Sequence, residues 1–303
     1  MSCARIGRAL LLAALLCGAA RAAPGAGAAP TLPLPPLDAT SSLLVVAPHP
    51  DDETLCCAGP LQRVARAGGR VSVVWITSGD GSWLDLLLIE KGLLHRHERA
   101  RDLGERRMRE ARAATRLLGV PAQGQLFLGY PDRGLAQLLA GYRTQPYTSA
   151  FSGAAAVPYP QALYPAHPYS GASLERDLAS VIERVHPTLI LAPSPLDAHP
   201  DHRATGEATI EVATRLHLLG AVRYWIVHGG AGWPSPRGLM KGVPLTPAPL
   251  MRGLAQTPFV LTPAEEDCEQ RALEAYATQM RVLAPFLLSF VRSDELFAAL
   301  TSP

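Results

Sequence analysis

The sequence predicts an α/β protein in which a mostly parallel sheet carries helices on both faces. Short Val-, Ile- and Leu-rich runs recur at 43–46, 71–76, 125–128, 188–192 and 222–227, each of strand length. Segments of helical length separate most of them, and such alternation calls for parallel pairing through crossovers. Several runs leave into turns holding Asp, His, Gly or Pro, at the carboxyl edge where open sheets place their sites. The expected architecture is a Rossmann-like three-layer α/β/α sandwich without internal repeats.

The first residues stand apart from that fold. Arg5 and Arg8 precede an apolar run from Ala9 to Ala20, and Ala20-Arg21-Ala22 has the small-x-small form of a cleavage site. Residues 1–22 read as a signal peptide, and the run is too short to cross a bilayer comfortably. Residues 23–41 form a Pro/Ala-rich leader, and 42–303 a single domain. The expected location is therefore periplasmic or secreted, with no membrane span after cleavage. Without Arg5, Arg8 and Arg21 the 28 basic residues fall to 25 against 26 acidic ones, so nothing points to a nucleic-acid partner. Cys56, Cys57 and Cys268 remain of the five cysteines. Three thiols cannot all pair within one chain. Cys56 and Cys57 read as small buried hydrophobes, with a bridge from Cys268 to one of them left open.

In chain order, the strand 43–46 leads into Ala47-Pro48-His49-Pro50-Asp51-Asp52-Glu53, and a helix from about Thr54 to Ala67 stops at Gly68-Gly69. The alternating run Arg70 to Thr77 is a second strand, leaving through Thr77-Ser78-Gly79-Asp80-Gly81. Leu84, Leu86, Leu87 and Leu88 suit a lid or an oligomer contact. A charged helix, about Glu98 to Leu118, has Asp102/Arg106 and Glu105/Arg109 four apart, the mark of a solvated face. The strand 125–128 exits at Gly129-Tyr130-Pro131-Asp132-Arg133-Gly134. The Tyr/Pro-rich insertion at about 142–171 has no clean period, and its tyrosines suit sugar stacking and loop anchoring equally. A helix at 172–185, the strand 188–192 and His199-Pro200-Asp201-His202 follow. Next come a helix from about Arg203 to Leu216 and a strand from Val222 to Val227 that ends at His228. A proline-rich crossing, Pro234 to Pro258, leads to a helix from near Pro263 and a last helical stretch with Phe286, Phe290 and Phe297.

The chemistry lies in the two His/Asp turns. Either alone reads as well as a helix cap, with Asp51, Asp52 or Asp201 accepting first-turn N–H groups. Together, two strand exits that each carry histidine and aspartate point to a metal. Two histidines and one carboxylate make a catalytic zinc set with a position left for water. An adjacent unbound carboxylate can then take a proton, because metal lowers the pKa of bound water from about 15.7 to about 7. His95 and His97 are two apart and do not share a helix face, so they make a poor metal pair.

His49-Pro50-Asp51-Asp52-Glu53 with His199-Pro200-Asp201-His202 resembles the LmbE/PIG-L family of zinc-dependent N-deacetylases, over about 42–230. The resemblance implies that His49, Asp52 and His202 hold zinc, another divalent ion staying open. It implies that Asp51 is the general base and that His199 protonates the amine or stabilises the oxyanion. Asp201 is implied to orient and tune His199, and Asp132 to contact the sugar. Arg107, with Glu110, matches an Arg-x-x-Glu pattern that reaches substrate, although Arg106 and Arg109 leave its register open. The implied activity is removal of an N-acetyl group from an N-acetylglucosamine-type glycan or glycoside. A zinc amidase on a non-sugar N-acyl substrate and an inactive secreted glycan-binding protein are the competing readings. A dinucleotide oxidoreductase has no support, since no G-x-G-x-x-G follows the first strand. The sequence specifies no oligomeric state.

Overall fold

The structure, a computed structural model, describes residues 33–82 and 95–299. The expected signal peptide (1–22), the start of the expected leader and the leucine-rich 84–88 lie outside the described residues.

Strand β1 (Ser42–Ala47) is buried at every position, as its unbroken apolar run demands of a strand covered on both faces. Beside it lie β2 (Arg70–Thr77), β3 (Gln125–Tyr130), β4 (Leu189–Pro193) and β5 (Val222–Trp225). Two further strands, β6 (Gln256–Val260) and β7 (Asp294–Ala298), complete a seven-stranded sheet of order β3-β2-β1-β4-β5-β7-β6. β1 to β5 pair in parallel, with Val45 opposite Val73 on one side and Leu191 on the other. β7 runs antiparallel to both β5 and β6. The chain order reverses between β1 and β4, so the crevice at their carboxyl ends is the topological switch point.

The helices are α1 (Asp52–Arg66), α2 (Arg96–Leu117), α3 (Leu135–Ala140), α4 (Gly171–Val185), α5 (Pro200–Arg215), α6 (Pro263–Glu274) and α7 (Ala277–Leu287). α1 and α2 pack against α6, while α3 and α4 pack against α5. These two groups are the outer layers of the expected sandwich. No helix among the described residues is long and apolar enough to cross a membrane.

The structure departs from expectation in five places. Phe297 lies on β7, not in a helix, and β6 begins inside the proline-rich crossing. A two-stranded antiparallel edge gives little local signal, because its partners are supplied by the rest of the sheet. The short α3 was not expected. α5 begins at Pro200, since proline suits a first helical position, and this draws Asp201 and His202 from the turn into the first helical turn. Cys56 and Cys57 form a disulfide with each other, Cys57 leaves helical geometry at φ −143°, and Cys268 is free. The insertion is an ordered loop in which Tyr159 and Tyr169 are buried anchors. The Tyr159 hydroxyl donates to Asp80 (2.9 Å) and that of Tyr169 to the Gly129 carbonyl (3.0 Å).

Candidate active site

β1 and β4 are parallel neighbours, so the turns leaving them share one edge and His49 meets His202 across 153 positions of sequence. His49 Nδ1 lies 3.2 Å from Asp52 Oδ2 and 3.3 Å from His202 Nε2, and those two atoms are 3.3 Å apart. A tetrahedral ion held at ~2.0–2.1 Å by nitrogen and oxygen separates its ligand atoms by about 3.3–3.4 Å. The near-equilateral triangle therefore has the dimensions of one face of a zinc site. Three wider groups, each with ligand atoms within 4.8 Å, share His49 or His202: His49/His199/His202, Asp197/His202/His228 and His49/Asp132/Asp201. The triangle is the tighter set, and the second nitrogen of each of its histidines already faces a carboxylate.

His202 Nδ1 meets Asp197 Oδ2 at 3.2 Å. His49 Nε2 meets Asp132 Oδ1 at 3.3 Å and Asp201 Oδ2 at 3.4 Å. Such outer carboxylates fix the tautomer that turns the other nitrogen to a metal. The charge balance agrees. Burial opposes charge on His49, but Asp132, Asp201 and Asp52 raise it well above its ordinary range. Burial likewise opposes charge on His202, and Asp52 and Asp197 lift it to about 9. Burial penalises ionised Asp52, yet His202 and His49 hold it well below the usual carboxylate range. The buried carboxylates thus favour positive charge at the two imidazoles, which a divalent cation in the triangle would supply. The donor set fits zinc.

Asp51 occupies the N-cap position of α1 without a side-chain capping bond, so it is not a simple cap. Its Oδ2 accepts from Arg107 Nη2 at 3.2 Å. Burial raises its pKa to about 8 against the pull of Arg107, with Asp52 adding to the rise. The backbone around it is fixed by Glu53, whose Oε2 accepts from the Asp51 amide (3.2 Å) and from Trp75 Nε1 (2.8 Å). Glu53 Oε1 accepts from Thr54 (2.5 Å) and from the hydroxyl of Tyr276.

His199 caps α5 by accepting from the Asp201 amide at Nδ1 (3.2 Å), which leaves Nε2–H as its donor. Burial, with His49 and His202 nearby, lowers its pKa to about 2. The expected orienting role of Asp201 is corrected here. Its backbone, not its carboxylate, touches His199. The carboxylate accepts from the Arg133 amide (2.5 Å) and the Leu135 amide (3.1 Å) at the start of α3, because α5 turns Asp201 inward toward that helix. Asp132 is buried, accepts from the Gly81 amide (2.9 Å) and faces His49 while lining the cleft. Arg107 lines the same cleft, but its guanidinium also donates to the carbonyls of Pro50 (2.7 Å) and Gly79 (3.0 Å). That fixes the register left open on the charged helix. Arg109 instead faces Glu105 on the exposed side, and Glu110 accepts from Thr278.

Three functional side chains escaped the sequence reading. Asp197 accepts from His202, from the amides of Val227 (3.0 Å) and His228 (3.1 Å), and from the His199 amide (2.8 Å). Its place two residues before His199 was the available signal. Glu53, visible in the motif, and Tyr276, with no local signal, complete the support of Asp51. His228, singled out at a strand end, does line the cleft and stacks at 5.2 Å on His199. The cleft measures about 190 Å³, below the ~300–1,000 Å³ of typical small-molecule sites, so it admits one end of a substrate. His95, His97 and Arg101 line a separate depression next to the 142–171 loop.

The PIG-L family profile, GlcNAc-PI de-N-acetylase, matches residues 44–213. A 1D-myo-inositol 2-acetamido-2-deoxy-alpha-D-glucopyranoside deacetylase of Mycobacterium sp. (strain KMS) is 27% identical over 259 residues, 80% of this chain and 75% of that protein. Among solved structures, a deacetylase of the teicoplanin biosynthetic pathway superposes with a TM-score of 0.55 at 18% identity, covering 86% of this chain and 99% of the other. N,N'-diacetylchitobiose deacetylase from Pyrococcus horikoshii gives 0.50 at 17% identity, covering 84% and 82%. The last two likenesses speak for the fold. The profile match spans both His/Asp motifs and more than half of the sequence, and on that ground the chain belongs to the PIG-L family of N-deacetylases, hydrolases of amide bonds.

Proposed function

We propose that this chain removes the acetyl group of an N-acetylglucosamine-type glycoside as an exported enzyme with zinc held by His49, Asp52 and His202. The observation that carries the reading is the triangle of three ligand atoms 3.2–3.3 Å apart with the Arg107-held Asp51 beside it. When bound, zinc would supply Lewis-acid polarisation of the amide carbonyl and bring the pKa of water near 7. Asp51 takes the proton of the attacking water. Arg107 orients the carboxylate for that transfer. His199, neutral because its Nδ1 accepts from the Asp201 amide, donates a hydrogen bond from Nε2–H to the carbonyl oxygen as negative charge develops there. Asp51 passes the water's proton to the departing nitrogen, so water and amide become acetate and the protonated amine. Asp197 holds the amides of His199 and His228 and the ring of His202 in one arrangement. The exposed Arg133 and the buried Asp132 offer polar contacts to sugar hydroxyls at the cleft. Export rests on the 1–22 sequence pattern; amino-terminal sequencing of the exported protein should begin at Ala23.

The direct test is release of free amine by zinc-loaded protein, with Asp51→Asn as the blank. Substrates run from N-acetylglucosamine and its glycosides through chito-oligosaccharides to non-sugar acetamides. Release from the sugars, lowered about 10²–10⁴-fold in Asp51→Asn with zinc still bound, is expected. Release from non-sugar amides alone would replace the sugar reading with the amidase one. Bound zinc without turnover on any substrate would favour a binding protein.

A further inference from the structure

The 142–171 loop is fastened to the strand that delivers Asp132. Leu163 donates its amide to the Phe127 carbonyl of β3 (2.8 Å), and the Tyr169 hydroxyl donates to the Gly129 carbonyl (3.0 Å). Tyr159 of the same loop is buried against α2. A Cβ at Gly104 of that helix would come within 2.5 Å of the Tyr159 hydroxyl and 2.7 Å of Ser78 Oγ. Glycine inside a helix costs stability relative to alanine. At 104 it leaves the slot that the hydroxyl occupies.

From that slot a chain of contacts runs to the metal triangle. Tyr159 Oη donates to Asp80 Oδ2 (2.9 Å), and Asp80 Oδ1 accepts from the Asp132 amide (3.3 Å). The Gly81 amide donates to Asp132 Oδ2 (2.9 Å), and Asp132 Oδ1 faces His49 Nε2 at 3.3 Å. The exit of β2 thus grips Asp132 by backbone and by side chain. Tyr159, Asp80 and Asp132 are all buried. Burial and the Asp132 carboxylate push Asp80 up to about 7, and the Tyr159 hydroxyl favours its anion, the form in which both oxygens accept. We infer that Tyr159 and Asp80 are positioning residues of the metal site: through them the loop aims Asp132 at His49 and sets the ring whose other nitrogen faces the ion. This rests on the zinc site proposed above and gives the loop a task other than sugar stacking.

The test is zinc affinity of the full chain by chelator competition, with the visible spectrum of the cobalt-loaded protein beside it. Tyr159→Phe keeps the ring and removes the hydroxyl. It should weaken zinc binding about tenfold, the low end of what an outer contact supplies, because Asp201 still meets His49 Nε2. It should also shift the cobalt bands. Tyr169→Phe removes a hydroxyl of the same loop that donates to a backbone carbonyl, and should lower stability with both readouts unchanged. Gly104→Ala should weaken zinc binding as Tyr159→Phe does, although alanine favours the helix, and it serves if Tyr159→Phe fails to fold. In an Asp80→Ala protein, Tyr159→Phe should weaken zinc binding no further. Parent affinity and an unshifted cobalt spectrum in Tyr159→Phe would overturn the inference and leave the zinc site standing. Equal losses of affinity in Tyr159→Phe and Tyr169→Phe, or full additivity with Asp80→Ala, would also overturn it. A parent protein that binds neither zinc nor cobalt would sink the zinc site and this inference together.

Discussion

Asp51 holds φ 130°, a region that costs a residue with a side chain roughly 1–3 kcal/mol. Its surroundings over-determine it. Glu53 binds its amide, its carbonyl accepts from Thr54 (3.0 Å) and Leu55 (3.1 Å), and Arg107 holds its carboxylate. Tyr276 donates to Glu53 from behind and does not itself line the cleft. Tyr276→Phe should therefore lower kcat roughly tenfold to a hundredfold with KM and zinc affinity unchanged. A parallel loss of zinc affinity would show that Glu53 supports the ligands and not the base. Asp197 acts on the other side, through His202. Asp197→Asn should weaken zinc binding about 10–100-fold in a chelator competition, and unaltered affinity would deny it that role.

At the scale of elements, the carboxy-terminal strands and helices are fastened to α1, the helix that carries Asp52. Where α1 leaves helical geometry at Cys57, the Gly59 amide donates to Glu295 of β7 at 2.9 Å. Glu295 and Glu269 of α6 are both buried, and neither oxygen of Glu269 has a hydrogen-bond partner among the described residues. Burial, with Glu295 and Glu266 adding repulsion, pushes Glu269 well above its ordinary value of 4.5, and burial does the same to Glu295. Both carboxyls thus stay protonated in the folded protein where the unfolded chain has released its protons. Their contribution to stability is whole below about pH 4.5 and is lost as pH rises toward the folded values, at up to about 1.4 kcal/mol per pH unit and group. Urea unfolding at pH 5.5 and pH 8 should show the parent weaker at pH 8, and Glu269→Gln should lose less between the two. A variant as pH-sensitive as its parent would place the effect elsewhere.

Across the whole molecule, the proposed zinc site joins the exits of β1 and β4, the two strands that flank the chain reversal. Binding there would tie the two halves of the sheet together, since its ligands come from residues 49–52 and 202. Chelation should lower thermal stability, and restoring zinc to a hundred times its dissociation constant should return about 2.7 kcal/mol. His202→Ala should show no zinc-dependent rise. A full response in that variant would move the ion to another site.

Much of this was legible in the sequence because its signals are local. The unbroken apolar run before His49 marks a strand covered on both faces, and paired His/Asp turns after two such strands place ligands at one sheet edge. The PIG-L resemblance rested on those same residues. What the sequence did not contain is which carboxylate meets which imidazole. Asp201, Asp197 and Asp132 all lie near histidines along the chain or across the edge. α5 begins early and turns Asp201 toward α3, which leaves Asp197 to hold His202. Nor could the sequence show that Leu283 and Phe286 of α7 line the cleft, because an apolar helix face reads the same whether it lines a core or a cleft. The pattern of side chains along the chain determines the layers and the ligand types. Only the packing of elements brought together by the fold decides which carboxylate and which imidazole meet His49, since that choice depends on distances that no local period encodes.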